Sequence, residues 1–199
     1  MPQTARRERR AQRRGTQEAP APRARGRPWA WGLVVVALVA AGGGAWWWQS
    51  AAHPRAAAQQ MGERIPDEGY AHVPVGTAVP YRAQPPASGP HYPAPAPAGV
   101  YVDGLEPGFW VHNLEHGYIV VLYKPPISDD LVTRFRAMLQ EFPPSKFGNV
   151  KLVFAPYENM SHRFALLSWD WRMWLDLFDR GKVLEFYRAH VDQGREDLP

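Results

Sequence analysis

The sequence predicts a small α/β or α+β domain with a mixed sheet, preceded by a Pro-rich arm and by one N-terminal transmembrane helix. Three observations predict it. Residues 29–48 form an uncharged apolar run. Pro (21) and Gly (17) are abundant and thicken between 74 and 97 and between 125 and 144, which points to long irregular connections. Beyond residue 118, short β-branched runs alternate with segments of helical spacing, the pattern of an α/β chain.

Taken in chain order, residues 1–28 carry nine Arg and two acidic residues, a balance of +7 within a chain of net +4. They read as a basic disordered cytoplasmic tail. The remainder is then mildly acidic, with 14 Lys and Arg against 17 Asp and Glu, so the folded part gives no electrostatic reason to bind nucleic acid. Segment 29–48 covers about 30 Å as a helix, the thickness of the hydrocarbon core of a bilayer. Trp29 and Trp31 flank it at one end and Trp46, Trp47 and Trp48 at the other, as an interfacial aromatic belt requires. The Arg excess ahead of it orients the N-terminus to the cytoplasm and the C-terminal domain outside, at the plasma membrane. The small residues at 51–58 would suit a cleaved signal peptide, but the long charged leader and full span length favour an uncleaved single-pass anchor. The lipid bilayer is thus the one partner the sequence names, and no protein partner is legible.

Residues 49–69 read as a linker, 70–194 as the extracytoplasmic domain and 195–199 as a frayed tail. Within the domain, 70–99 is expected to be a loop-rich arm that docks through His72, Tyr81, His91 and Tyr92. Residues 118–123 are continuously apolar and fit a strand buried on both faces. Ser128 caps a helix with Asp129 and Asp130 in its first turn, and Pro143 and Pro144 stop it. Residues 150–154 and 164–169 read as strands. The first β-helix-β unit implies a parallel pair, and the shorter next connection suits an antiparallel third strand. Asp170 is expected to cap a short helix with Trp171, Trp174, Leu175 and Phe178 on its apolar face and Gly181 at its end. A final helix occupies 183–190.

No cysteine is present, which excludes disulfides, thiolate metal sites and a thiol nucleophile. Candidate chemistry therefore falls on histidine. His112, Glu115 and His116 lie in His-Asn-Leu-Glu-His-Gly. On a strand the two imidazoles would be about 13 Å apart, whereas one helical turn stacks them within reach of a single ion. Gly117 suits a helix stop just before the strand. Glu115 shares the face as a ligand, a partner to an imidazole N–H, or a general base. The motif also matches His-x-x-Glu-His of inverted zinc peptidases, but the strand after Gly117 leaves no room for the long helix those enzymes need. His91 sits in a Pro-bounded turn at 85–93 that holds a side chain in place. Ser88, three residues earlier, has no visible oxyanion hole or third triad member. His53, His162 and His190 read as ordinary core or surface histidines, with His162 a lesser candidate. Trp169, Trp171 and Trp174 read as core, with a groove as the alternative.

These segments resemble a bacterial family, domain of unknown function 3105. Its pattern has a His-Val pair, a Tyr, Pro-Pro-Thr-Ser-Gly-Pro-His, then His-Asn-Leu-Glu-His-Gly and a hydrophobic strand. Here stand His72 and Val73, Tyr81, the run 85–91 with Ala87 in place of Thr, and 112–117 followed by 118–123. Ala155, Pro156 and Tyr157 look similar too, and Ser168 and Trp169 depart from the family's Ala-Trp-Gly. The resemblance implies a membrane-anchored extracytoplasmic domain and assigns no activity.

The residues themselves support three readings. One is a metal site of His91, His112 and His116, with His72 as a fourth ligand, for Zn²⁺ or Cu²⁺; no nucleotide or organic cofactor is indicated. The second is a metal-dependent envelope hydrolase with Glu115 as catalytic base. The third is a non-catalytic interaction module in which the same cluster only fixes the arm.

Overall fold

The computed structural model describes residues 61–199. The tail at 1–28, the span at 29–48 and the first part of the linker, to residue 60, lie outside the described residues. No helix among the described residues is long and apolar enough to cross a membrane.

Six strands form one mixed sheet: β1 (Glu63–Arg64), β2 (Gly99–Val100), β3 (Ile119–Tyr123), β4 (Leu152–Pro156), β5 (Phe164–Ser168) and β6 (Trp171–Leu175). Among the described residues three helices accompany them: α1 (Pro107–Glu115), α2 (Asp129–Glu141) and α3 (Arg180–His190). The sheet order is β1-β6-β5-β3-β4-β2. β3 pairs parallel with β4, and β4 with β2; the other neighbours are antiparallel. The parallel first unit and the antiparallel third strand follow the sequence expectation.

β3 is fully buried because both faces of the sheet are covered. Val120 and Leu122 face α1 residues Trp110, Val111 and Leu114, together with Ala87 of the arm. Ile119, Val121 and Tyr123 face Phe135 and Met138 of α2 and Val183, Phe186 and Tyr187 of α3. The result is three layers: α1 with the Pro-rich arm, the sheet, then α2 with α3. The cap on α2 is as expected, since Ser128 accepts a hydrogen bond from Leu131 N–H at 3.2 Å. Asp179 caps α3 by accepting from Lys182 N–H.

Three expectations fail. Residues 171–178 begin as strand β6, not as a helix. Ser168 pairs with Trp171, so Trp169 and Asp170 make a two-residue hairpin turn. Asp170 has φ 61°, a left-handed conformation that Asp tolerates. The spacing of Trp171, Trp174, Leu175 and Phe178 fits a helix, but pairing on both edges of β6 overrides it. Gly181 accordingly lies inside α3 instead of ending a helix. The linker expected through residue 69 also fails. β1 adds a strand to the sheet edge, and Ile65 is buried with its N–H donated to Asp170 O at 2.9 Å. Lastly, the expected frayed tail at 195–199 docks on the domain: Glu196 N–H donates to Glu115 O at 2.8 Å, and Leu198 O accepts from Lys151 Nζ at 2.6 Å.

Candidate metal centre

The His-Asn-Leu-Glu-His-Gly motif forms the C-terminal end of α1, a longer helix than the single turn expected. Pro107 starts it at a position where the missing N–H leaves nothing unsatisfied. It ends in a Schellman motif: Gly117 N–H donates to Leu114 O at 3.0 Å and Tyr118 N–H to Asn113 O at 3.0 Å. Gly117 has φ 77°, which a side chain would resist, and a Cβ there would lie 2.8 Å from Asp192 Cα. This stop turns the chain into β3 while leaving His112, Glu115 and His116 on the last turn of the helix.

The arm supplies the other imidazoles. His72 and His91 form a parallel bridge, with His91 N–H donating to Ala71 O and Val73 N–H to His91 O. The bridge sets the two side chains next to each other, ring centroids 4.8 Å apart. Asn113 clamps the arm to α1 by accepting from Ala96 N–H at 3.0 Å and donating to Ala96 O at 2.7 Å. Gly108 leaves room for the Tyr92 ring, which a Cβ would meet at 2.7 Å. Tyr81 donates its hydroxyl to Pro90 O at 2.7 Å.

One ligand atom from each of His72, His91, His112 and Glu115 lies within 4.8 Å of every other. Three of the four residues are buried, and the His72 side chain is 48% exposed, so the cluster opens to solvent on one side. His91 Nε2 stands 2.9 Å from Glu115 Oε2, and His72 Nε2 stands 3.7 Å from it. His112 Nε2 lies 3.1 Å from His116 Nε2. The distal nitrogens are equally informative. His91 Nδ1 lies 2.8 Å from Gly89 O and His112 Nδ1 lies 2.6 Å from Tyr92 O. A carbonyl accepts only, so both Nδ1 atoms carry hydrogen. In its neutral ring His112 Nε2 is then a lone pair aimed into the cluster, while His91 Nε2, 2.9 Å from the Glu115 carboxylate, is placed to donate to it and to yield that proton when an ion binds.

Burial favours the neutral form of three imidazoles, those of His112, His116 and His190. Burial pushes the pKa of His112 down, with His116 and His91 adding to the effect against the Tyr92 carbonyl. Burial also lowers His116, opposed by Glu196, and lowers His190, opposed by the Met61 carbonyl. The folded values lie below the ordinary value of about 6.5, so the unfolded chain binds more protons in that window. Their stability contribution is whole above about 6.5 and is lost as pH falls through the folded values. Denaturant melts of the metal-free protein should therefore weaken on acidification below about 6.5, and His190→Gln should remove part of that slope. A slope unchanged by His190→Gln would refute the assignment for that residue.

His91, His112, His116, His72 and Glu115 thus all gather at the end of α1. His53 lies outside the described residues. His162 is elsewhere, with Nδ1 2.8 Å from Ser161 Oγ and its ring stacked on Trp174. Ser88 is no nucleophile partner for His91: both ring nitrogens of His91 face other groups, Gly89 O and Glu115 Oε2, and the Ser88 hydroxyl oxygen accepts from Glu68 N–H at 3.0 Å. Trp169 and Trp174 pack on one side of the sheet and Trp171 on the other, so the three line no common groove.

Two residues escaped the sequence reading. Glu196 places Oε2 3.4 Å from His116 Nε2, and with Glu115 and His116 it forms a second group of close ligand atoms. Lys151 is fully buried, and its Nζ donates to His116 O at 2.8 Å and to Leu198 O while facing Asp192 Oδ1 at 3.0 Å. It ties the helix end, the strand and the C-terminal segment together. No sequence signal marks Glu196, and only the apolar neighbours of Lys151 hint at its burial.

No curated protein and no solved structure matches the chain. The family model described as protein of unknown function (DUF3105) matches residues 72–198, a stretch that takes in the whole cluster, Glu196 included. The chain belongs to this family.

Proposed function

We propose that this domain binds a divalent transition metal, Zn²⁺ or Cu²⁺, through His72, His91, His112 and Glu115, with His116 beside them. We further propose that segment 29–48 anchors it outside the cytoplasmic membrane. One observation carries the metal reading: His91 and His112 each commit Nδ1–H to a backbone carbonyl and turn Nε2 toward the same carboxylate cluster. That orientation by an outer hydrogen bond is what metal-ligating histidines ordinarily show. Imidazole and carboxylate without thiolate suit Zn²⁺ or Cu²⁺. The half-exposed His72 provides the way in. The anchor rests on the uncharged run, its Trp flanks and the Arg excess before it.

The open side also favours a second reading, a metal-dependent hydrolase, in which the ion activates a water and Glu115 acts as base. Glu115 would then have to exchange its contact with His91 for one with that water. Metal analysis of the full chain, purified in detergent without an affinity tag, tests the common premise. The wild type should carry at least one Zn²⁺ or Cu²⁺ per chain, and His112→Ala/His116→Ala should lose it. Equal metal content in both would end the reading.

A further inference from the structure

We propose that the cluster holds two cations, the second one bound by Glu115, His116 and Glu196, with Glu115 shared between the positions. The inference rests on the metal reading above and extends it. Ligand atoms bound to one Zn²⁺ at 2.0–2.2 Å can lie at most about 4.4 Å apart. The ligand-bearing side chains here divide into two groups: His72, His91, His112 and Glu115 in one, Glu115, His116 and Glu196 in the other. Only Glu115 belongs to both. A single ion in the first group therefore leaves His116 and Glu196 to a neighbouring position.

That neighbouring position is built by the fold. Glu196 arrives on a segment fastened at four points. Its own N–H donates to Glu115 O, and Leu198 O accepts from Lys151 Nζ. Gly194 lies so close to the backbone of Glu115 and Gly117 that any side chain there would collide. Arg195 covers the exposed Tyr70 ring at 3.5 Å, joining the same segment to the arm two residues before His72. Lys151 at the same time fixes the carbonyl of His116. His112 of the first group and His116 of the second bring their Nε2 atoms to 3.1 Å, so the two positions adjoin. His116 has a side chain 12% exposed and Glu196 one 45% exposed, against 2% for Glu115. Each position thus has one half-exposed ligand, His72 in the first and Glu196 in the second.

The test is equilibrium dialysis of the full chain in detergent, stripped with chelator, against excess Zn²⁺. Wild type should bind two Zn²⁺ per chain, and Glu196→Ala and Glu196→Gln one each, a loss of half, with unchanged thermal melts before zinc is added. One Zn²⁺ in all three proteins would overturn the second position and leave the first standing. Two in all three would overturn the role of Glu196. No bound Zn²⁺ in the wild type would instead overturn the metal reading itself. The Gln variant keeps the shape of the docked segment, so a loss there reports the carboxylate and not its packing.

Discussion

Lys151→Ala is expected to lower stability by about 3–5 kcal/mol, the range for removing one partner from a buried ion pair. The side chain of Lys151 is completely buried on β4's approach, and Asp192, 13% exposed, has its Oδ1 within 3.0 Å of the ammonium. Truncation leaves that carboxylate facing the interior without its cation. It also strips the carbonyls of His116 and Leu198 of their donor and empties the space beside the Phe147 ring, which the ammonium approaches to 4.3 Å. A double variant isolates the part played by charge. Lys151→Met/Asp192→Asn removes both charges, fills the space, and keeps a residue that tolerates the φ of 60° at position 192. Urea melts should show the double variant recovering most of the loss. A single variant within about 1 kcal/mol of wild type would show that the pair does not hold the helix end to the C-terminal segment.

The parts of the fold that sequence reading reached are those whose partners lie close by or whose burial is uniform. β3 is apolar at every position because α1 covers one face and α2 with α3 the other. α2 announces itself through Ser128, its two first-turn acids and the terminal prolines. β1 and β2 hold two residues each, too few to show any period. β6 misleads for a sharper reason. Its large side chains satisfy helical spacing, and the deciding fact, a left-handed Asp170 between paired strands, is a property of the hairpin and not of the residues after it.

The site divides along the same line. The i, i+4 spacing of His112 and His116 makes their proximity legible once a helix is assumed. His72 and His91 meet only through a parallel bridge between irregular segments, which no periodicity encodes. Glu196 sits in a polar stretch that reads as solvent-exposed, and it becomes a neighbour of His116 only because Lys151 and Gly194 pin that stretch down. The motif histidines and Glu115 were visible, while Glu196 and the long-range hydrogen bonds that converge the site were not.

His91→Ala and His72→Ala should separate stability from binding at this site. Both imidazoles face the same carboxylate oxygen, His91 at 2.9 Å with no exposure and His72 at 3.7 Å with its side chain half exposed. Removing His91 leaves Glu115, 1% exposed, with its nearer partner gone and Gly89 O without its donor. The expected loss is about 3–5 kcal/mol in the metal-free protein, most of it from leaving a buried carboxylate unpaired. Removing His72 takes away a longer, solvent-screened contact, and the expected loss is below about 1 kcal/mol. For metal the order changes, because each variant deletes a proposed ligand. His72→Ala should then weaken Zn²⁺ binding by at least about 10–100-fold, the effect of merely disturbing a ligand's outer hydrogen bonds. Melts and zinc titrations of the two variants give the comparison, and His91→Ala/Glu115→Gln supplies its internal control. If the orphaned charge is the cause, neutralising Glu115 restores much of the stability without restoring binding. Equal melts for His91→Ala and His72→Ala would instead mean that Glu115 finds water when His91 leaves, and that the cluster is wetter and less tightly ordered than its burial implies.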